Sequence, residues 1–161
     1  MKKNLLIILL FIAVVICFII TITNNEIKTT ELVNVKIDNL TIGTKEDKID
    51  LTKYTESDRF SGNYKYKFEE ILIGINNKKE INYLYGRIDE EKIDITFNGK
   101  NIESLNDVVN ILGQNYHKKN YDSEQQLKEY IYKDYSNHIN LEVVYSTNDN
   151  NVYWIILSEL K

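Results

Sequence analysis

Proline is absent from all 161 residues, and the chain holds six glycines, two histidines, one cysteine and one tryptophan. Each shortage closes a route. The only cysteine, Cys17, lies inside an apolar run. The rest of the chain therefore has no thiol for an internal disulfide or a cysteine-based metal site, and its stability must come from packing. A zinc site takes three or four ligands at characteristic spacings, whereas His117 and His138 stand far apart with no cysteine near them. They read as polar surface side chains, and no metal or cofactor is expected. Positive charge is also in deficit, with 20 basic residues against 24 acidic ones. That balance argues against a nucleic-acid partner, because phosphate binding rests on clustered cations. No Ser sits in a Gly-x-Ser-x-Gly elbow with a base to activate it, so no catalytic residue is assigned. Glu69-Glu70 and Asp89-Glu90-Glu91 are adjacent carboxylates of the kind that glycan hydrolases use in pairs, but in hairpin turns such groups are ordinarily solvated.

What the chain does have is a long hydrophobic run. Residues 5–22, LLIILLFIAVVICFIITI, contain Thr21 as their only conventional polar side chain. As a helix the run would be about 27 Å long, close to the thickness of a bilayer core. It predicts an N-terminal transmembrane anchor over residues 1–23, followed by a polar tether over 24–31. A removed secretory signal is the alternative, but residues 21–25, TITNN, offer no small-residue cleavage site. Lipid attachment at Cys17 is disfavoured by the bulky Ile16 before it. Lys2 and Lys3 precede the run and the first basic residue after it is Lys28, so the remainder is expected outside the cytoplasm. That exported part carries all 24 acidic residues and 18 of the 20 basic ones.

Beyond the tether the sequence predicts an α+β fold in two fused helix-plus-antiparallel-sheet units, residues 32–91 and 92–161. Val33, Val35 and Ile37 alternate with polar residues, as on a half-buried strand. A short helix is predicted over residues 46–54. Three strands then follow in a meander: Tyr64, Tyr66 and Phe68; Ile71, Ile73 and Ile75; Ile81, Tyr83 and Tyr85. A further strand covers residues 93–97. Ser104 as a cap, Asp107 in the first turn, Leu105, Val108, Val109 and Leu112 at helical spacing and Gly113 at the end predict a helix. Ser123 and Gln126 repeat the cap pattern and predict another short helix. Two closing strands follow, the last of them, residues 152–157, apolar on both faces.

The two halves share one order: strand, Gly-containing turn, helix, polar loop, Tyr-x-Tyr segment and two strands around an Asn-rich turn. Tyr64-Lys65-Tyr66-Lys67 answers to Tyr130-Ile131-Tyr132-Lys133, which suggests duplication. The second unit, with DVVNILG at 107–113, a Tyr-rich loop and paired strands ending VYWIIL, resembles the helix-loop-sheet repeat of β-lactamase-inhibitor-protein-like and small outer-membrane-assembly-lipoprotein-like domains. The Ile, Asn and Lys richness adds a likeness to membrane-anchored exported proteins of low-GC bacteria. The resemblance implies a fold and a habit of binding other proteins on a sheet face, with no enzymatic activity. The chain departs from the pattern in having no Pro after Leu112-Gly113 and no lipobox.

Twelve tyrosines give the remaining signal. Tyr64, Tyr66, Tyr83 and Tyr85 are expected to project together from neighbouring strands, with Tyr132 and Trp154 extending the surface. Aromatics bury large rigid area at low entropic cost and are enriched in interface hot spots. The expectation is a single-span, membrane-anchored extracytoplasmic module that binds another envelope protein. An immunity or inhibitor-type module, a sensory module and a wall-acting hydrolase stand as alternatives.

Overall fold

Apolar and polar side chains alternate through most of the chain beyond residue 31, and the segments that carry them form strands. The computed structural model describes Ile12 and residues 28–62, 64–88 and 93–160. Its strands are β1 (Val35–Ile37), β2 (Tyr66–Lys67), β3 (Ile71–Ile75), β4 (Ile81–Arg87), β5 (Ile95–Phe97), β6 (Lys100–Asn101), β7 (His117–Asp122), β8 (Leu127–Asp134), β9 (Ile139–Ser146) and β10 (Val152–Glu159), with α1 (Leu105–Leu112) between β6 and β7. Seven strands make one antiparallel sheet in the order β2-β3-β4-β10-β9-β8-β7, and β1, β5 and β6 make a second, small one.

One face of the large sheet is the core. Register places Ile73 opposite Leu84, Leu84 opposite Leu157, Leu157 opposite Leu141 and Leu141 opposite Tyr132, a continuous row across five strands. All five are fully buried. Packed into the same core are Val35, Ile37, Ile95 and Phe97 of the small sheet, Leu105, Val108 and Leu112 of α1, and Ile49. The small sheet comes close to β4 at Gly86, where an added Cβ would lie 2.6 Å from Ile37 Cγ2. Only a residue without a side chain lets the two layers meet there. Helix α1 starts with a capping box: Ser104 Oγ accepts from the Asp107 N–H, and Asp107 Oδ2 accepts from the Ser104 N–H at 2.9 Å.

Two fused helix-plus-sheet units do not describe the residues seen here, which are mostly β, with ten strands and one α-helix. The halves are joined strand to strand, because β4 pairs with β10 and β1 with β5. Residues 46–54 are not one helix but two 3-10 turns, Glu46–Lys48 and Leu51–Lys53. Asp50 breaks the run by accepting from the Thr52 N–H, which resets the chain at an extended residue. The helix expected from Ser123 is a hairpin turn between β7 and β8. Asp122 Oδ1 accepts from the N–H groups of Glu124 and Gln125, and Gln126 takes a φ of 57°. Amides that would start a helix are thereby committed to a turn. Val33 stands exposed in a turn ahead of β1, and the part of the predicted Tyr-rich loop at 117–122 is strand β7. The apolar run at 5–22 lies outside the described residues apart from Ile12, and among those described no helix is long and apolar enough to cross a membrane.

The expected tether is fastened at its far end. The Thr30 N–H donates to the Lys133 carbonyl at 2.8 Å, the Leu32 N–H to Asp134 Oδ2 at 2.9 Å, and the Tyr135 N–H to Thr29 Oγ1 at 3.2 Å. Leu32 itself is fully buried. The chain thus enters the fold at the end of β8.

Candidate functional site

No helix among the described elements packs on the second face of the large sheet, and side chains gather there that strict alternation would place elsewhere. Three β-bulges decide which ones. On β4, Gly74 pairs with Tyr83 but Ile75 pairs with Ile81, so Asn82 is the extra residue. Ile81 consequently points into the core while Tyr83 and Tyr85 point away from it. On β10, Val152 pairs with Tyr145 and Trp154 with Val144, which makes Tyr153 the extra residue. Without it Trp154 would share the core side with Val152. On β7 the bulge lies between Asn120 and Asp122, and Tyr121 is re-aimed over the sheet.

These rings meet. Tyr121 stands edge-on to Trp154 with centroids 5.4 Å apart, Trp154 lies 6.3 Å from Tyr85, Tyr85 is 6.2 Å from Phe60, and Tyr64 lies 5.0 Å from Tyr83. Strands β7 and β10 are separated by β8 and β9, hence by about 14 Å in a flat sheet with a strand spacing near 4.8 Å. The Tyr121–Trp154 contact therefore requires the sheet to curl toward this face. Val144, in the row between them, is fully buried. Beside the rings runs an open depression lined by Tyr83, Lys119, Ile131, Asn140, Glu142 and Ser158.

Burial and charge shift the groups on this face. Burial pushes the Tyr83 hydroxyl well above its ordinary range, and the neighbouring Tyr64 hydroxyl and the Glu142 charge act in the same direction. Burial likewise raises Tyr121 against an opposing contact with Trp154, with Glu142 and Glu129 adding to the rise. Glu129 is raised by burial first and by Glu142 second, against the opposing charges of Lys119 and His117. The Nε1 of Trp154 is buried and has no hydrogen-bond partner among the described residues.

Of the six residues singled out in the sequence, Tyr64, Tyr83, Tyr85 and Trp154 come together here. Tyr66 does not. It pairs with Ile73 on the core side, stacks on Phe68 at 6.3 Å and donates its hydroxyl to Glu46. Tyr64 lies ahead of β2, past a bend, so strand alternation does not carry from one to the other. Tyr132 is buried completely in the core, where its hydroxyl donates to the Gly113 carbonyl at 3.0 Å. Phe60, Tyr121, Glu129 and Glu142 belong to the face and were not singled out. For Glu129 and Glu142 the alternation along β8 and β9 was the available signal. For Tyr121 there was none, because its direction depends on the bulge.

The other residues considered for chemistry are dispersed. Glu70 is 2% exposed, and its carboxylate accepts from the Thr55 N–H at 3.2 Å. Glu69 lies 3.8 Å from Arg59. Asp89, Glu90 and Glu91 lie outside the described residues. His117 opens β7, and His138 occupies the β8–β9 turn with a φ of 55°. Among the described residues no three His, Cys, Asp or Glu side chains are grouped as metal ligands would be. Comparison of the chain with family models, with curated proteins and with solved structures finds no match, so the geometry of this face has to carry the functional reading by itself.

Proposed function

We propose that the chain is a binding module that docks another protein on the curled, uncovered face of its seven-stranded sheet. The observation that carries the reading is the convergence of Phe60, Tyr64, Tyr83, Tyr85, Tyr121 and Trp154 on that face. Part of each of Tyr64, Tyr83, Tyr85 and Trp154 stays accessible. Half-buried rings held in place by one another are the anchors from which protein interfaces draw most of their energy. The apolar run at 5–22 would hold the module at a membrane with the sheet outside the cytoplasm, which makes another envelope protein the expected partner. The resemblance carried by residues 107–113 and 152–157 implies the same use of a sheet face.

Photocrosslinking in intact cells tests this. A photoreactive phenylalanine derivative in place of Tyr85 is expected to yield a discrete protein adduct, whereas the same group at exposed Lys100 on β6 is not. Adducts from neither position, or from both alike, would overturn the reading. Protease added to the same cells should degrade the sheet domain, and its survival would refute the placement outside.

A further inference from the structure

The strands of the large sheet give it two ends, and the entering chain is tied to one of them. Thr29, Thr30 and Leu32 are fastened to Tyr135, Lys133 and Asp134, where β8 stops and the turn at 135–138 begins. Register puts the β3–β4 turn at 76–80 and Leu160 at this same end, because Ile75 pairs with Ile81, Ser158 with Tyr83 and Glu159 with Ile139. The turns at 68–70, 123–126 and 147–151 lie at the other end, one strand length or about 25 Å away.

The two ends differ in charge. The far turns carry Glu69, Glu70, Glu124 and Asp149 and no cation. On the segments leading into them, Arg59, Lys67, Arg87 and Lys128 are accompanied by Glu56, Asp58 and Asp122. The entry end instead carries Lys78 and Lys79 exposed on the tip of the β3–β4 turn, with Lys45 behind them and Lys28 and Lys133 beside the entering chain. Two of its carboxylates are engaged locally, Glu80 with Lys45 at 2.7 Å and Glu46 with Lys65. Glu31, Asp47 and Glu159 are the other acids there, against Lys28, Lys48, Lys78, Lys79 and Lys133. Tyr135, on the β8–β9 turn, is 49% exposed, with Lys133 Nζ 6.0 Å from its ring centroid. An amphipathic ring beside an ammonium suits the boundary between headgroups and hydrocarbon.

We infer that this end of the sheet lies on the membrane surface, with Lys28, Lys78, Lys79 and Lys133 on anionic phospholipid headgroups and Tyr135 at their level. This placement rests on residues 5–22 serving as the membrane anchor of the proposed function. Six residues separate Ile22 from Thr29 and span at most about 25 Å, so the entry end stays near the bilayer. That length alone lets the body tilt; the charges decide the tilt. Ammonium groups are drawn to an anionic surface over roughly a Debye length, about 8 Å at physiological salt, and the acidic turns are repelled by it. The strands then stand upright on the bilayer, and the aromatic face is turned sideways, open to a protein held in the same membrane.

Fluorescence quenching from the headgroup level tests this. In the full chain with Cys17→Ser, which removes the single native thiol, a fluorophore is attached to one new cysteine at a time. Asn77→Cys and Ser136→Cys mark the entry end, and Gln125→Cys and Asn148→Cys the far end, all at exposed positions. Each is reconstituted in vesicles of phosphatidylcholine and phosphatidylglycerol containing a headgroup nitroxide lipid, and again without phosphatidylglycerol. The labels at 77 and 136 are expected to be quenched at least twofold more than those at 125 and 148. For the label at 136, this excess should fall by at least half without phosphatidylglycerol, in about 1 M salt, and in Lys78→Gln/Lys79→Gln. Circular dichroism checks that the variants keep their fold. Equal quenching at the two ends, stronger quenching at the far end, or an excess indifferent to lipid charge, salt and the two lysines would each overturn the inference. The failures separate: a chain that does not float with the vesicles removes the anchor and this placement together. A chain that floats without the excess removes the placement alone and leaves the docking face to its own crosslinking test.

Discussion

Tyr121 touches Trp154 edge-on across two intervening strands, and Val144 lies fully buried in the row between them. The contact fastens the tip of the β7–β8 hairpin to the middle of the sheet.

Tyr121→Ala is expected to destabilise the fold by about 0.5–1.5 kcal/mol, the usual worth of an aromatic pair beyond its area. The emission of Trp154 should shift to the red as water reaches the indole. Thermal unfolding and a fluorescence spectrum check both effects.

Asp134 links the entering chain to β8. Its carboxylate is 1% exposed and accepts from the Leu32 N–H, the Asn137 N–H and the Asn137 amide. Burial pushes its pKa upward, but these hydrogen bonds outweigh burial and hold it below the ordinary 3.8. A depressed carboxylate stabilises the fold above its unfolded pKa, and the contribution is lost as pH falls through the folded value. Asp134→Ala should therefore cost about 2 kcal/mol at neutral pH through stranded donors. The difference from the wild type should shrink below pH 3.8. Denaturant unfolding at several pH values between 2 and 7 measures it.

Gly86→Ala would force a Cβ to within 2.6 Å of Ile37 Cγ2. The expected loss is about 1–3 kcal/mol from overpacking. Adding Ile37→Ala should cost less in Gly86→Ala than in the wild type, because it relieves the clash. A double-mutant cycle by chemical denaturation reads that coupling.

Tyr132→Phe removes the hydrogen bond to the Gly113 carbonyl and leaves the ring in place. Stability should fall by about 0.5–1.5 kcal/mol. Adduct formation from position 85 should not change, since Tyr132 belongs to the opposite face.

Where a short segment decides its own structure, the sequence was readable. The cap at Ser104, the apolar spacing through Leu112 and Gly113 after it mark α1 with residues that touch one another locally. The alternation of Ile139, Leu141 and Val143 marks β9 in the same way. Bulges are different, because one extra residue exchanges the faces of everything beyond it, and whether a strand takes that residue is settled by its partner. Ile81 and Tyr83 are spaced for one face and occupy two, and Val152 and Trp154 repeat the case. The Ser123 signal failed because Asp122 offered the same amides a nearer acceptor. The repeat pattern grouped each half with itself, whereas β4–β10 and β1–β5 join residues far apart in the chain.

At its rim the large sheet ends on one side in β7, where His117 through Tyr121 are exposed, with Lys118 and Lys119 side by side and a bulge after Asn120. On the other side it ends in β2, only two residues long. Neither border is a template for another chain, because incoming backbone would meet ammonium groups and a kink at one and too short a ladder at the other. Growth into fibres through these two borders is therefore disfavoured. The proposed docking on the sheet face would accordingly run through side chains, not through lengthening of the sheet.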